Sequence, residues 1–495
     1  MATTPTFALH QTLPRQKLSS EQKTLRAAER IYIATDRDSY VAGETMWISV
    51  YCVDVSDSVS LSNMSSIAYL ELYNAQSLVL TAKIALVAGR GSGHIELPPN
   101  LPTGNYKIAS YTKQMLNEQE PVLFEKFISI YNVLSSNRVE GNVTTGVKGV
   151  KNSGSFSLSN LGEQNIVDIS FGASGRIVPT ENSFVFSLIN NGESSISANI
   201  SIFRQDSLSN NYNKSFAQYL SPSLTATPVF TNKFIPEYEG EIIYGKVICD
   251  NNDALWDKAI FLSAAGGISD IYSTYVDSVG NFTFFTTPFF GNRDLILEIP
   301  KADSNLNIVY DIYDPFIREN RGEIPTLVLD TNIISSLEQR GVEMQLGRRF
   351  RIDTLFERIP MDKDPLLQSN LSVYRLDDYT RFTVMQEVVS EFIPELRFRK
   401  VDKKPDLQVR LNSSFKELAF SNDNTLAILD GVAVFDHQKI EEYNPLKVET
   451  ISIYNSDYYI GVAAFSGIAS FKTYKGDYSG LSFNKNVRIM DYQGV

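Results

Sequence analysis

The side chains best suited to nucleophilic or metal chemistry are few and scattered in this sequence. Its two cysteines, Cys52 and Cys249, lie far apart, whereas a disulfide framework or a thiolate zinc site has cysteines at short, recurring spacings. The three histidines, His10, His94 and His437, show no metal-ligand spacing. We therefore expect no catalytic, metal or cofactor site built on cysteine or histidine, and we expect both cysteines to stay unpaired.

One charged cluster could carry acid–base or metal chemistry. It consists of Asp36, Arg37, Asp38 and Glu44, but turn hydrogen bonding and a local ion pair explain it more simply. The G-x-S-x-G and H-E-x-x-H signatures of hydrolases are absent from the sequence. Paired carboxylates elsewhere stay open, because sequence alone does not reveal them. We expect a protein that is not an enzyme and that has no cofactor.

The charge balance limits the partners. The 495 residues carry a formal net charge of -12 and no long block of Lys and Arg. We therefore expect binding neither to nucleic acid nor to anionic lipid, since both attract a positive field. No apolar run reaches the length of about 18 residues that a transmembrane helix needs. The opening MATTPTFALHQTLPRQ lacks the basic start and apolar core of a signal peptide.

The elements that would position any site read mainly as β-strands. Ile48, Val50 and Cys52 alternate with Trp47, Ser49 and Tyr51, a period of two that is typical of a half-buried strand. Turn signals such as VAGE (41–44) and GRGSG (89–93) interrupt the strands at short intervals. This rhythm predicts tandem immunoglobulin-like β-sandwiches, and a β-rich chain favours an exported, mature protein over a cytosolic one.

Two blocks near the N-terminus carry a family resemblance. The stretch RIYIATDRDSYVAGETMWISVYCVD (30–54) resembles the opening of the second macroglobulin domain of the α2-macroglobulin superfamily, with its TDR-type and GET-type turns. The stretch GRGSGHIELPPNLPTGNYKIASYT (89–112) is similar to the closing strands of the same domain. The resemblance implies a macroglobulin-like β-sandwich, in which these residues are structural.

A second resemblance begins at Glu239. The segment EGEIIYGKVICDNNDALWDKAIFLSAAG (239–266) resembles a carboxypeptidase-regulatory-like, transthyretin-type sandwich. Its D-x-x-G-x-F-x-F pattern is Asp277, Gly280, Phe282 and Phe284. Asp and Gly form the turn, and the two Phe side chains alternate into the core. Such domains carry no peptidase chemistry.

The C-terminal region contains amphipathic helical spacing followed by a third resemblance. Between 378 and 396 the apolar residues recur at helical intervals, which predicts at least one helix. The segment 426–476 is similar to the plug domain of TonB-dependent outer-membrane transporters, with a DG turn at Asp430 and Gly431. It departs from that pattern at Ile460, where an aromatic residue is usual, and neither a TonB box nor a barrel accompanies it. The resemblance implies a plug fold reused without transport.

These observations together predict a mainly β chain of tandem immunoglobulin-like or macroglobulin β-sandwiches followed by an α+β plug-like domain. The predicted division is a leader or flexible segment (1–28), a macroglobulin-like sandwich (29–133), a linker (134–154), a second sandwich with a long polar loop (155–233), a carboxypeptidase-regulatory-like sandwich (234–316), a helical connector (317–374) and the plug-like domain (375–495).

The combination of domains resembles large envelope proteins of Bacteroidota. That resemblance implies an exported, periplasmic or outer-membrane-associated protein, with a possible lipid anchor on the native precursor. We expect a non-enzymatic protein that binds or scaffolds an outer-membrane protein or complex. The alternative is a macroglobulin-like protease-binding protein, necessarily without a thioester, because neither Cys52 nor Cys249 lies in a G-C-G-E-Q-like loop.

Three tyrosines form the candidate interface. Tyr454, Tyr458 and Tyr459 lie in YNSDYYIG (454–461), which we interpret as a turn between two strands. Tyrosine suits interfaces because it offers a large contact area and a hydroxyl. The alternative interpretation is that these rings pack against the preceding sandwich.

Overall fold

The computed structural model of the chain describes residues 28–56, 58–146, 167–171, 186–190, 206–208, 216–223, 228–231, 233–250, 255–267, 269–300, 306–320, 322–350, 371–411, 420 and 424–495. The predicted leader at 1–28 therefore lies almost wholly outside the described residues. Within them the chain is mainly β, which confirms the predicted fold class. None of the described helices combines the length and the apolar character needed to cross a membrane.

The first unit, here called the N-terminal sandwich, is built from nine strands. They are β1 (Glu29–Thr35), β2 (Ser39–Val41), β3 (Thr45–Asp54), β4 (Ser60–Leu61), β5 (Ile67–Tyr73), β6 (Leu78–Ala85), β7 (Arg90–Glu96), β8 (Gly104–Tyr111) and β9 (Phe124–Tyr131). One sheet has β3 between β1 and β4, with β7 also paired to β3; the other has the order β2-β9-β8-β5-β6. Ile48, Val50 and Cys52 are buried in the shared core, as their spacing predicts.

The next segments connect the sandwiches. They contain β10 (Val143–Thr145), β11 (Val167–Phe171), β12 (Phe186–Asn190) and α1 (Phe216–Leu220). Strands β11 and β12 pair antiparallel within the predicted second sandwich with its polar loop, most of which lies outside the described residues. Helix α1 lies in the same predicted range, and its Tyr219 packs edge-on against Phe124 of the N-terminal sandwich.

The central sandwich begins with six consecutive strands. They are β13 (Ile242–Cys249), β14 (Ala259–Ala264), β15 (Asp270–Tyr275), β16 (Asn281–Phe285), β17 (Asn292–Glu298) and β18 (Ile308–Ile312). One sheet has the order β16-β13-β18. The predicted turn is present: the Asp277 carboxylate accepts from the Val279 and Asn281 amides, and Phe282 and Phe284 are buried.

The predicted helical connector is docked on the N-terminal sandwich. It contains β19 (Leu327–Leu329), which pairs in parallel with β10, and α2 (Ile334–Arg349). Arg340 of α2 is buried, and its guanidinium donates to both carboxylate oxygens of Glu44 and to the Ser39 carbonyl. One face of α2 therefore belongs to the first folded unit.

The C-terminal domain is an α+β unit. Its elements are β20 (Leu371–Arg375), α3 (Met385–Phe392), β21 (Leu396–Val401), β22 (Lys404–Val409), β23 (Leu426–Leu429), β24 (Val432–Val434), α4 (Gln438–Glu441), β25 (Val448–Ile460) and β26 (Ala463–Thr473). The main sheet has the order β20-β25-β26-β23-β24, and β21 and β22 form a separate hairpin. Met385, Val388 and Val389 of α3 are buried in the core, as the helical spacing predicts.

The last strand departs from the predicted domain division. Strand β27 (Arg488–Gln493) leaves the C-terminal domain and pairs antiparallel with β17, which gives the second sheet of the central sandwich the order β15-β14-β17-β27. Tyr492 and Met490 pack into the core of that sandwich. Sequence contiguity predicts this strand in the plug-like domain, whereas Tyr492 is buried in the core of the central sandwich and Met490 packs against it.

Candidate functional site

The candidate tyrosines do not lie in a turn. Strand β25 continues to Ile460, and its register with β26 is irregular between Val448 and Thr450 and again between Tyr454 and Asp457. Tyr458 and Tyr459 face Phe465 and Ala464 of β26 in the antiparallel ladder. The chain reverses only at Gly461, whose φ of 53° lies in the left-handed region. The turn interpretation of this segment is therefore wrong, because β25 extends through all three tyrosines and pairs with β26 at Tyr454 and from Asp457 to Ile460.

The structure divides the three rings between two environments. Tyr454 and Tyr458 meet edge to face, with ring centroids 5.5 Å apart. Both pack against an apolar cluster that joins the central sandwich to the C-terminal domain, through Phe261 and Ile271 on one side and residues of β23, β24, β25 and β26 on the other. Tyr459, in contrast, is 74% exposed. Two of the three rings thus serve the contact between domains, and Tyr459 remains open to a partner.

Hydrogen bonds fix the end of the β25–β26 hairpin onto strand β15. The Ser273 hydroxyl donates to the Ile460 carbonyl at 2.5 Å and accepts from the Val462 amide at 3.0 Å. Gly461 lies so close that a Cβ there would collide with the Ser273 carbonyl oxygen. The exposed Tyr459 is therefore carried on a hairpin whose position is set by the central sandwich.

The DG turn of the plug-like pattern has a structural role. Asp430 is buried, and its carboxylate accepts from the Thr473 amide at 2.8 Å, the Thr473 hydroxyl at 2.6 Å and the Tyr478 amide at 2.8 Å. Its backbone carbonyl accepts from the Gly266 amide of the central sandwich at 2.9 Å. Asp430 therefore ties the C-terminal sheet together and also contributes to the contact between domains.

A buried polar network joins the N-terminal and central sandwiches. The Lys83 ammonium of β6 lies 2.8 Å from the Glu241 carboxylate and donates to the Gln493 carbonyl at 2.9 Å. The Tyr492 hydroxyl donates to Glu241 at 2.6 Å. The Lys83 ammonium also lies 4.0 Å from the centroid of the Tyr492 ring, a cation–π contact. Strand β27 thus completes one sandwich and contacts the other.

Glu237 completes this junction. One carboxylate oxygen accepts from the Tyr69 hydroxyl at 2.9 Å and the Ile242 amide at 3.1 Å. The other is buried and has no hydrogen-bond partner among the described residues. Burial raises the pKa of Glu237 to about 7, and burial lowers the pKa of the nearby Lys113 ammonium. No sequence signal marked this network, because its members are separated by hundreds of residues along the chain.

The residues first considered for chemistry have structural surroundings. Cys52 and Cys249 lie in different sandwiches, on β3 and β13, and form no disulfide with each other, as predicted. Burial raises the pKa of Cys52 well above its ordinary value. His437 Nδ1 lies 3.0 Å from the Leu407 amide and 3.1 Å from the Asp406 carboxylate, and its Nε2 lies 3.1 Å from the Thr425 carbonyl. The His94 ring lies beside Trp47, with centroids 5.2 Å apart and planes tilted by 42°, and His10 lies outside the described residues. No metal-binding group of three or more His, Cys, Asp or Glu occurs within the described ranges.

The charged cluster near the N-terminus also has a structural explanation. The Asp36 carboxylate accepts from the Tyr40 hydroxyl at 2.7 Å and the Trp47 amide at 2.9 Å. Glu44 accepts from the Val41 amide and from Arg340 of α2. The Arg37 guanidinium lies 3.6 Å from the Asp36 carboxylate and 3.5 Å from that of Glu44, so the predicted turn hydrogen bonds and local ion pair are confirmed. Glu44 in addition binds Arg340 of the connector helix.

Comparison with known proteins finds distant structural similarity only. No protein-family model and no curated protein matches the chain. A crystal structure of Salmonella alpha-2-macroglobulin is similar over 58% of this chain and 14% of that one, at 10% identity and a TM-score of 0.18. The native conformation of Escherichia coli alpha-2-macroglobulin is similar over 59% of this chain and 14% of that one, at 10% identity and a TM-score of 0.18.

A smaller protein also shows similarity. The CARDB domain of a Pyrococcus furiosus protein, solved with di-metal ions, is similar over 21% of this chain and 94% of that one, at 10% identity and a TM-score of 0.16. This chain spans about one seventh of the two macroglobulins named above. At these scores the similarities carry no functional argument, and the fold description rests on the sheets of the chain itself.

Proposed function

We propose that this protein is a non-enzymatic cell-envelope protein that binds or scaffolds components of the outer membrane. In this proposal it is exported and lies in the periplasm or at the outer membrane, with a lipid anchor on its native precursor. The sandwiches hold the C-terminal domain in place, and that domain contacts an outer-membrane protein or complex.

The observation that supports the proposal is that the C-terminal domain is held in a fixed position against the central sandwich. Its β25–β26 hairpin is bonded to Ser273, and its Tyr454 and Tyr458 rings are occupied by the contact with the central sandwich. The same hairpin leaves Tyr459 74% exposed, with the 37% exposed Val462 on the adjoining turn. A large exposed ring on a rigid support binds a partner without the entropic cost of ordering a loop.

The experiment is co-purification of the full-length protein from detergent-solubilised native membranes, comparing the wild type with Tyr459→Ala. We expect the variant to fold normally, because Tyr459 contributes little to the core, and to recover at least fivefold less of an outer-membrane protein. Tyr313→Ala is the matched control, since Tyr313 is 50% exposed on the central sandwich. Equal recovery by wild type and Tyr459→Ala would contradict docking at this hairpin.

The alternative function is protease binding in the manner of a macroglobulin without a thioester. The macroglobulin-like turns of the N-terminal sandwich are the feature that favours it. Added proteases would then cleave the chain and be retained by it, and the outer-membrane recovery would be absent. Cleavage without retention of the protease would argue against this alternative.

A further inference from the structure

A strongly basic hairpin projects from the C-terminal domain. Strands β21 and β22 pair antiparallel from Leu396↔Val409 to Val401↔Lys404. The two residues between the strands, Asp402 and Lys403, have φ values of 49° and 67°. Positive φ at both central residues is the signature of a tight two-residue turn that matches the twist of the strands. We call residues 396–409 the basic hairpin.

The basic hairpin opposes the charge of the rest of the chain. The stretch RFRKVDKK (397–404) has five cations in eight residues, and all five side chains are exposed. With Asp402 and Asp406 counted, the hairpin has a net charge of +3. Because the whole chain has a net charge of -12, the residues outside the hairpin together carry -15. The whole-chain charge therefore conceals a local positive field. At physiological ionic strength the Debye length is about 8 Å, so this field acts locally, without cancellation by distant carboxylates.

The base of the basic hairpin is rigid and its end is free. Leu396, Leu407 and Val409 are buried in the core of the C-terminal domain. The Leu407 amide also donates to His437 Nδ1 at 3.0 Å, which fixes β22 to the residues before α4. Beyond this base, Lys400, Val401 and Lys404 are exposed although they lie on alternating faces. The end of the hairpin therefore extends away from the domain with both faces in solvent.

We propose that the basic hairpin docks the protein on an anionic lipid surface. This inference rests on the proposed function at the envelope and adds a second, lipid contact to it. Lysine ammonium groups are compact point charges that suit phosphate headgroups of no fixed arrangement. Val401, 45% exposed among these cations, supplies an apolar side chain at the depth of the headgroups. Cations on both faces of a projecting end fit an extended charged surface better than a shaped acidic groove on a protein.

The test uses the full chain and protein-free vesicles of equal parts phosphatidylglycerol and phosphatidylcholine, with pure phosphatidylcholine as the neutral reference. The hairpin variant is Lys400→Gln with Lys403→Gln and Lys404→Gln. The matched control is Lys472→Gln with Lys475→Gln and Lys485→Gln, three exposed lysines in the same C-terminal part of the chain. Both triple variants change the net charge equally, so only the position of the charges differs between them.

We expect the wild type to co-sediment with the anionic vesicles and to lose this binding as salt is added. It should not bind the neutral vesicles. The hairpin variant should bind about a hundredfold more weakly, since each Lys near the surface contributes roughly a factor of five to ten. The control should stay within about threefold of the wild type. Near-ultraviolet circular dichroism identical to that of the wild type would show that both variants are folded.

Three results would overturn the proposal: no binding of the wild type to anionic vesicles, equal loss in both variants, or equal binding to neutral vesicles. If the hairpin variant instead loses an envelope protein in co-purification while vesicle binding is absent, the partner is an acidic protein and the lipid assignment is wrong. Because the vesicles contain no protein, these results do not test docking through Tyr459. The co-purification of Tyr459→Ala tests that docking independently.

Discussion

Lys83 and Glu241 form an ion pair of 2.8 Å between two different sandwiches, with their side chains only 1% and 4% exposed. Lys83 belongs to the edge strand β6 of the N-terminal sandwich, and Glu241 immediately precedes β13 of the central sandwich. Removing two charges from water is costly unless each finds close partners. Here Lys83 also donates to the Gln493 carbonyl, and Glu241 also accepts from the Tyr492 hydroxyl. The two sandwiches and the C-terminal strand are therefore coupled through one buried site.

The first prediction concerns this ion pair. Lys83→Met keeps most of the aliphatic length but leaves the Glu241 carboxylate buried with only the Tyr492 hydroxyl as a donor. We expect the free energy of unfolding to fall by about 3 to 5 kcal/mol, the usual result of removing one partner of a buried pair. Chemical denaturation measures the change. Lys472→Met, at an exposed lysine, should change the stability by less than about 0.5 kcal/mol.

A double variant separates the ion pair from packing. Adding Glu241→Gln to Lys83→Met removes the uncompensated charge while the amide oxygen still accepts from Tyr492. The double variant should therefore be more stable than Lys83→Met alone. Strict additivity of the two single effects would show that the two charges are not coupled in solution.

Glu237 should make the stability of this junction depend on pH. Burial raises its pKa to about 7, whereas an unfolded glutamate titrates near 4.5. The folded protein therefore binds the extra proton between these values, and stability falls as pH rises from about 4.5 to 7. The groups that face Glu237 are Tyr69, Lys113 and Glu241, with Lys83 and Tyr492 beyond them. The penalty at pH 8 has an upper limit of about 3 kcal/mol.

Glu237→Gln tests this dependence. The variant should gain stability relative to the wild type as the pH is raised from 5 to 8, as measured by thermal unfolding at each pH. Glu239→Gln is the matched control on the same segment, because Glu239 is exposed. A constant difference between Glu237→Gln and the wild type across this range would show that Glu237 does not titrate there.

The sequence predicts what depends on local spacing and misses what depends on distant contacts. The sequence predicts Phe282 and Phe284 in the core because a period of two and an Asp-Gly turn determine the face of a strand. The junction of Lys83, Glu241 and Tyr492 had no such pattern, since a lysine on an edge strand is ordinarily a solvent-exposed residue. The polar neighbours of Tyr458 predict a turn because they resemble loop composition, whereas pairing with β26 determines its conformation.

Arg340 should hold helix α2 against the N-terminal sandwich. Its guanidinium reaches Glu44, Asp206 and the Ser39 carbonyl from a buried position. Arg340→Met should lower the stability of this docking by about 2 to 3 kcal/mol, because hydrogen bonds to charged groups are lost. Amide hydrogen exchange across α2 should then speed up while β1 to β9 stay protected. Arg349→Met, at an exposed arginine near the end of the same helix, should leave the exchange unchanged; similar acceleration in both variants would contradict the assignment.

The last prediction concerns the contact that holds the β25–β26 hairpin, with the exposed Tyr459, on the central sandwich. Gly461 and Gly476 have similar left-handed φ values of 53° and 64°, so alanine strains the backbone comparably at both positions. Only at Gly461 would the new Cβ collide with the Ser273 carbonyl oxygen of strand β15, while no described atom lies within 4 Å of a Cβ at Gly476. Gly461→Ala should therefore cost at least about 1 kcal/mol more than Gly476→Ala in chemical denaturation. It should also increase hydrogen exchange at the Val462 amide, which donates to the Ser273 hydroxyl, because the hairpin must move away from the central sandwich. Equal costs and unchanged exchange in the two variants would mean that the hairpin is not seated on Ser273 in solution.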